Sequence, residues 1–282
     1  MAYDLKKESD VKEYVEKLGM EYRFGCYMEK KPEACHLLGD YLEGIKKDFE
    51  KASKVYKSTC DDYGYAKSCY KFGNYSFLGK GKSGSKGEPR VAYQYYEKGC
   101  QLNDPDACLH SGLLLFSSSM PKEIDRDVLK GLEFLNKSCD MNNATACFYL
   151  SGMHIAGVQK KLDPATAGSA SSASTPSTGT APPSNATAAA AAAAASPKTP
   201  PKDSDYVVLK DMKKAFMFAR KACELRNMYA CANLSQMYAR GDGIEKNEKE
   251  AERYKKMAIE MHDEVKKQQE TLGFQQGVGM PN

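Results

Sequence analysis

Tryptophan is absent from the 282 residues, histidine occurs four times, and the ten cysteines never form a C-x-x-C. That last absence removes the usual ligand spacing of a zinc finger or ribbon and the usual dithiol of a thioredoxin-like enzyme. Charge of one sign is also missing, because 41 basic residues stand interspersed with 37 acidic ones for a net +4. Such a mixed surface lacks the electrostatic footprint of a nucleic-acid or membrane-surface binder. Outside an alanine tract the longest apolar stretch is a few residues around Leu113 to Phe116, far short of the roughly 20 that span a bilayer. The opening MAYDLKKESD has no apolar h-region and carries Asp4, Glu8 and Asp10. It resembles neither a secretory signal nor an Arg-rich, acid-poor transit peptide.

What is present is a pattern. The cysteines fall into five local pairs: Cys26 with Cys35, Cys60 with Cys69, Cys100 with Cys108, Cys139 with Cys147, and Cys223 with Cys231. The second members recur at steps of 34, 39, 39 and 84 residues, the last being about two periods long. A period of this size marks stacked helical hairpins, each burying its apolar face only against its neighbours. Small or apolar residues return eight, five, four and one positions before the first cysteine, as Ala215, Phe218, Ala219 and Ala222 before Cys223. That spacing lines one face of a helix. The first repeat fits less well, with Glu21 breaking one column, and reads as the N-terminal cap.

Turn formers lie between the cysteines of each pair, among them Lys31-Pro32, Asp62-Tyr63-Gly64, Asn103-Asp104-Pro105 and Asn142-Asn143, so each pair straddles a helix-to-helix turn. Four residues after the second cysteine stands Gly39, Gly73, Gly112, Ser151 or Ser235, small enough for close helix packing. Gly44, Gly79, Gly157 and Gly241 are expected as left-handed C-caps of the second helices. The third repeat lacks one and runs on through Ser117 to Ser119 and Pro121. The expected organisation is four repeats over 1–158, a disordered Ser/Pro/Ala-rich insertion over 159–205 that includes Ala188 to Ala195, a fifth repeat and terminal helix over 206–268, and a flexible tail over 269–282. An alanine run this short is below the roughly 12 to 15 residues at which an isolated helix becomes marginal. The fold class is all-α, a right-handed solenoid of five hairpins.

Three readings of the cysteines compete. Zinc lacks convergent Cys and His sets, the histidines being only His36, His110, His154 and His262. Reduced thiols packed as small hydrophobes are the plain alternative. Disulfides fit best, because the count is even, the pairing local and the two side chains face each other across a hairpin. Closing so short a loop is worth about 2.5 kcal/mol in the chain-entropy model. Disulfides require an oxidising compartment. The mitochondrial intermembrane space, which imports leaderless reduced chains and oxidises them, would reconcile bridges with the missing signal, with an import oxidoreductase as one partner.

The segment ARKACELRNMYACANLSQMYARGDG and the run Asp40-Tyr41-Leu42-Glu43-Gly44-Ile45, with the five-pair layout, resemble the cysteine-rich branch of the Sel-one-like repeats, which are tetratricopeptide-related hairpins. The resemblance covers nearly all of the chain except 159–205. It implies an intra-hairpin disulfide in each repeat, residence in the intermembrane space, and a part in assembling respiratory-chain complexes, chiefly cytochrome c oxidase.

The function expected is therefore a non-enzymatic, protein-binding assembly scaffold whose partners are complex subunits or other assembly factors. Tyr93, Tyr95, Tyr96 and Tyr149 in the middle repeats are candidate contact residues. No catalytic or metal-binding residue is assigned. Bacterial relatives carry a β-lactamase-like label, and Ser-x-x-Lys occurs at Ser9, Ser83 and Ser119, yet neither Ser-Asp-Asn nor Lys-Thr-Gly follows. A thiol-disulfide oxidoreductase is the alternative in the same compartment, since each second cysteine lies near a helix start, where the dipole favours a thiolate. Haem or copper handling is the other, with His110 and His154 as candidate ligands near Met120, Met141 and Met153. The two histidines occupy different columns of the repeat.

Overall fold

The computed structural model describes residues 3–4, 6–81, 86–116, 124–160 and 203–275. Among them are eleven α-helices. Ten pair as hairpins: α1 (Glu8–Tyr27) with α2 (Pro32–Gly44), α3 (Phe49–Tyr63) with α4 (Ala66–Leu78), α5 (Pro89–Gln101) with α6 (Pro105–Phe116), α7 (Val128–Asp140) with α8 (Ala144–Ala156), and α9 (Met212–Glu224) with α10 (Met228–Arg240). The last, α11 (Glu248–Gln275), packs on α10. Each second helix packs more extensively on the first helix of the next hairpin than on its own partner.

The turn inside every hairpin follows one recipe. One residue takes a left-handed conformation, Lys30, Gly64, Asn103, Asn142 or Arg226, with φ of 56°, 62°, 64°, 66° and 70°. The next N–H, on Lys31, Tyr65, Asp104, Asn143 or Asn227, then donates back to the carbonyl of the small residue preceding the first cysteine, at 3.0 to 3.4 Å. This Schellman-type closure satisfies a carbonyl that the helix end would leave open. In three turns the same residue also caps the second helix: Asp104, Asn143 and Asn227 accept from the N–H of Ala107, Ala146 and Ala230. An Asn or Asp after the left-handed residue thus serves both helices.

The second cysteine, at Cys35, Cys69, Cys108, Cys147 and Cys231, is always the fourth residue of its helix. That places it one turn beyond the bend and opposite the first cysteine, and the structure brings all five expected pairs to disulfide distance. The Cα–Cα separation is 4.5 Å for Cys26 with Cys35 and for Cys100 with Cys108. It is 4.8 Å for Cys60 with Cys69, Cys139 with Cys147, and Cys223 with Cys231.

Consecutive hairpins interlock through the small column four residues on. A Cβ on Gly39 would stand 2.3 Å from the Tyr56 ring, one on Gly73 2.6 Å from Tyr96, and one on Gly112 2.8 Å from Leu135. In α8 the equivalent Ser151 instead donates its hydroxyl to the Ala215 carbonyl at 2.9 Å. Tyr56, Tyr96 and Leu135 are among the largest fully buried side chains.

Several expectations are corrected. Gly79 and Gly241 are left-handed C-caps, but Gly44 is the last residue of α2 and Lys47 takes the positive φ beyond it. Gly157 has φ 74° with an extended ψ of 160°, because the chain leaves α8 into a strand. That strand, β1 (Val158–Gln159), pairs antiparallel with β2 (Tyr206–Val208), after a 3-10 turn at Asp203–Asp205. The ends of the 159–205 insertion are therefore ordered, and the ladder clamps its root. The terminal helix runs through Gln275 rather than yielding to a tail at 269. Ser117 to Ser119, Pro121, Ala188 to Ala195 and residues 276–282 lie outside the described residues.

Gly39→Ala should lower stability in urea unfolding by about 1–3 kcal/mol, the overpacking outweighing the at most about 1 kcal/mol that alanine gains by helix propensity. The double variant carrying Cys139→Ala and Cys147→Ala should lose about 2.5 kcal/mol relative to the bridged chain.

Candidate interaction surface

A ladder of charged contacts runs along the stack, each rung joining one hairpin to the next. Glu43 in α2 accepts from Lys71 at 2.9 Å and Lys80 at 3.0 Å. Asp61 in α3 accepts from Lys98 of α5 at 3.1 Å, and from Tyr95 at 2.9 Å. Lys130 of α7 reaches Glu97 of α5 at 2.8 Å, and Lys221 of α9 stands 3.9 Å from Asp140 of α7. The final rung reverses polarity, with Arg226 in the fifth turn bonded to Glu264 of α11. Most of these side chains are partly exposed, so each pair contributes little to stability. Their value lies in fixing the register of neighbouring hairpins.

The first rung is the most enclosed. Burial alone would raise the Glu43 carboxyl, but hydrogen bonds from Lys71 and Lys80 prevail and hold it down at about 2. Beside it the buried Tyr56 hydroxyl donates to Asp40 at 2.6 Å, and burial with that bond pushes the phenol well above its ordinary value. His36 completes the cluster, its Nδ1 3.0 Å from the Ser68 hydroxyl and its Nε2 3.7 Å from Asp40. Its ring meets those of Tyr56 and Tyr65. Asp40 lies four residues on in the same helix, but Ser68, Tyr56 and Tyr65 come from the following hairpin, so sequence spacing does not reveal the cluster.

The two candidate ligands occupy separate surroundings. His110, in α6, bonds the Asp106 carbonyl through Nδ1 at 2.8 Å and packs against Tyr70 and Tyr96. His154, in α8, stacks on Phe218 of α9 with its Nδ1 buried and unpartnered. They share no ring or hydrogen-bond partner. Met141 and Met153 pack in different apolar clusters, and Met120 lies outside the described residues. An open cleft beside the β ladder is lined by His154, Leu209, Asp211, Met212 and Gly243. Among the described residues no group of three or more His, Cys, Asp or Glu side chains is placed to hold a metal ion.

No cysteine is more than 6 % exposed, and Cys60, Cys69, Cys108, Cys147 and Cys231 are fully buried. Thiol–disulfide exchange needs an attacking thiolate to reach sulfur, so every sulfur is shielded in this conformation. The helix start that would favour a thiolate at Cys69, Cys108, Cys147 or Cys231 therefore opens none of them to a substrate. Ser9 donates to the adjacent Asp10, while Ser83 and Ser119 lie outside the described residues. Of the candidate contact tyrosines, Tyr96 is a buried interlocking residue and Tyr95 belongs to the ladder. Tyr93 bonds Glu97, and Tyr149 is partly buried against the last hairpins. Among the described residues no helix is long and apolar enough to cross a membrane.

Cysteine-bearing hairpins stacked at this period define an α-solenoid of Sel1 repeats. The Sel1 repeat family matches residues 32–54, 66–104, 105–143, 203–227 and 229–263. All but 203–227 begin at or near second helices, and 66–104 and 105–143 pair a second helix with the first helix of the next hairpin. That is the more extensive of the two helix interfaces. The fold is shared with a Sel1 repeat protein from Oxalobacter formigenes, at TM-score 0.54 and 17% identity over 80% of this chain and 68% of that one. It is shared also with c5321, a protective antigen of uropathogenic Escherichia coli, at TM-score 0.59 and 16% identity over 87% and 40%. Within this class the chain belongs to the cytochrome c oxidase assembly factor 7 family. It is 80% identical over 282 residues, the whole of both chains, to the cytochrome c oxidase assembly factor 7 homolog of Drosophila melanogaster. It is 34% identical over 274 residues to the Xenopus tropicalis protein, covering 96% and 97% of the two.

The buried titratable groups predict how the fold responds to acid. Burial lowers His36, His110 and His154 from 6.5, so the unfolded chain binds more protons below that pH. Stability is fully present above pH 6.5 and is lost as pH falls below it. Glu43 contributes stability present above 4.5 and lost as pH falls towards about 2. Urea midpoints measured from pH 8 downwards should therefore fall in two stages, with His36→Asn shrinking the first and Glu43→Gln the second.

Proposed function

We propose that this chain is a non-enzymatic assembly factor for mitochondrial respiratory complexes, chiefly cytochrome c oxidase, acting as a disulfide-stapled scaffold that binds other proteins. The observation that carries this reading is the 80% identity, over the full length of both chains, to a cytochrome c oxidase assembly factor 7 homolog. The physical form agrees with the role. Stacked hairpins present an extended surface, and the stapled turns hold that surface rigid without requiring a large core. Partners are complex subunits or other assembly factors, engaged transiently along the helices.

The cysteines support the intermembrane space as the compartment. Five pairs at disulfide distance, with no free cysteine among the described residues, suit an oxidising space, and within the mitochondrion that is the intermembrane space. An import oxidoreductase would install the bridges there. Thiol–disulfide exchange remains the competing activity, and it requires one pair to open, because all the sulfurs are shielded.

Intact mass after alkylation without reduction, on protein from isolated mitochondria, tests these points together. The bridged scaffold should carry no alkyl group, and depleting the protein should lower assembled cytochrome c oxidase. Ten alkyl groups would remove both the bridges and the oxidising compartment. Two, confined to one pair, would mark a reactive dithiol and favour the oxidoreductase.

A further inference from the structure

In hairpins three to five the residue two places before the first cysteine is a lysine that reaches back to the hairpin before. Lys98 bonds Asp61, Lys137 bonds the Cys100 carbonyl at 2.7 Å, and Lys221 approaches Asp140. Among the described residues no hairpin precedes the first, and any polar residue would serve there in water. It carries Phe24, 59 % exposed. One place after the first cysteine, where the other hairpins have Asp61, Gln101, Asp140 and Glu224, it carries Tyr27, 53 % exposed. Met20 and Met28 flank these at 61 % and 71 %. A repeat with no neighbour on one side needs a polar outer face to stay soluble alone, and here four large apolar side chains stand out among the exposed Lys17, Glu21 and Arg23.

The stripe is not an inward face left partly uncovered. The opposite side of α1 packs on α2: a Cβ on Gly19 would stand 2.3 Å from the Tyr41 ring, Cys26 meets Cys35, and Tyr41 donates to Glu16. Met20, Phe24 and Met28 are spaced i, i+4, i+8 and stay in helical geometry through Met28. Such a ridge interdigitates with its own kind at a crossing angle near −50°. Its spacing is symmetric about Phe24, so an antiparallel copy would set Phe24 against Phe24 and Met20 against Met28, with sulfur–aromatic contacts on either side.

We propose that this stripe is the contact of a weak homodimer, in which α1 of a second copy crosses antiparallel over it and covers the outer side of the first hairpin. Side chains of about 150–250 Å² each, at these exposures, offer about 500 Å² per copy. Two copies then bury about 1,000 Å², the lower bound for a specific interface, which suits reversible association in the micromolar range.

Sedimentation equilibrium of the full, oxidised chain, from low micromolar to several hundred micromolar, is the test. The wild type should show a reversible dimer, weakened at least about tenfold by Phe24→Glu or Met20→Lys. Met217→Lys should leave it unchanged; that residue holds the Met20 position in the fifth hairpin and is 64 % exposed. Matching unfolding midpoints will show that the variants are folded. Should Phe24→Glu fail to fold, a photo-crosslinking phenylalanine at position 24 should join isotopically distinct copies within residues 20–28. A wild type that stays monomeric throughout, as it would if the stripe served only a different protein, overturns the proposal, and so does a dimer indifferent to Phe24→Glu.

Discussion

The stack depends on a missing side chain. Four residues after each second cysteine the helix offers a glycine or serine, and the three glycines among them receive the largest buried side chain of the following helix, Tyr56, Tyr96 or Leu135. Helices meet closely only where one of them is bare, and each contact sets where the next hairpin begins. The family's own repeat frame, which at 66–104 and 105–143 joins a second helix to the first helix of the next hairpin, follows this interface rather than the cysteine hairpin. The interlock is therefore the natural unit of the solenoid, and the charged rungs beside it serve to hold its register.

The cysteines serve the weaker interface. Within a hairpin the two helices touch less extensively than neighbouring hairpins do, and the left-handed turn costs strain at Lys30, Asn103, Asn142 and Arg226, none of which is glycine. A covalent link one turn from the bend, as between Cys100 and Cys108 or between Cys223 and Cys231, limits the conformations that the unfolded hairpin would otherwise regain. Packing between hairpins and bridging within them divide the work, so the chain holds an extended form without a deep common core. Such a form suits a protein whose surface, rather than a cavity, is its working part.

The partly buried polar cluster of Asp40, Glu43, Lys71, Tyr56 and His36 shows where polar chemistry has been admitted into that packing. Glu43 is satisfied by two lysines and Tyr56 by Asp40, so the desolvation each suffers is offset. Burial outweighs the carboxylate neighbour of His36 and lowers its pKa. These groups lie where the run from Asp40 to Ile45 gave the sequence its most specific family likeness, which links that motif to a structural junction between the first two hairpins.

Much of this was open to reading from the residues in order. The hairpin count, the buried column before each first cysteine, the turns and the pairing of cysteines are all short-range, and a helix of 3.6 residues per turn writes such contacts at fixed spacings. The C-cap expected at Gly44 failed because a glycine permits a left-handed turn without requiring one, and the chain placed it at Lys47. The β ladder at the root of the insertion was invisible because its strands, at two and three residues, are too short to show alternation and lie far apart in sequence. Tertiary structure alone chose which lysine or arginine meets which carboxylate, from Glu43 with Lys71 to Asp140 with Lys221 and Glu264 with Arg226, put His110 and His154 in separate surroundings, and left Phe24 facing solvent. Those outcomes depend on distances between hairpins, and sequence spacing records only distances within one.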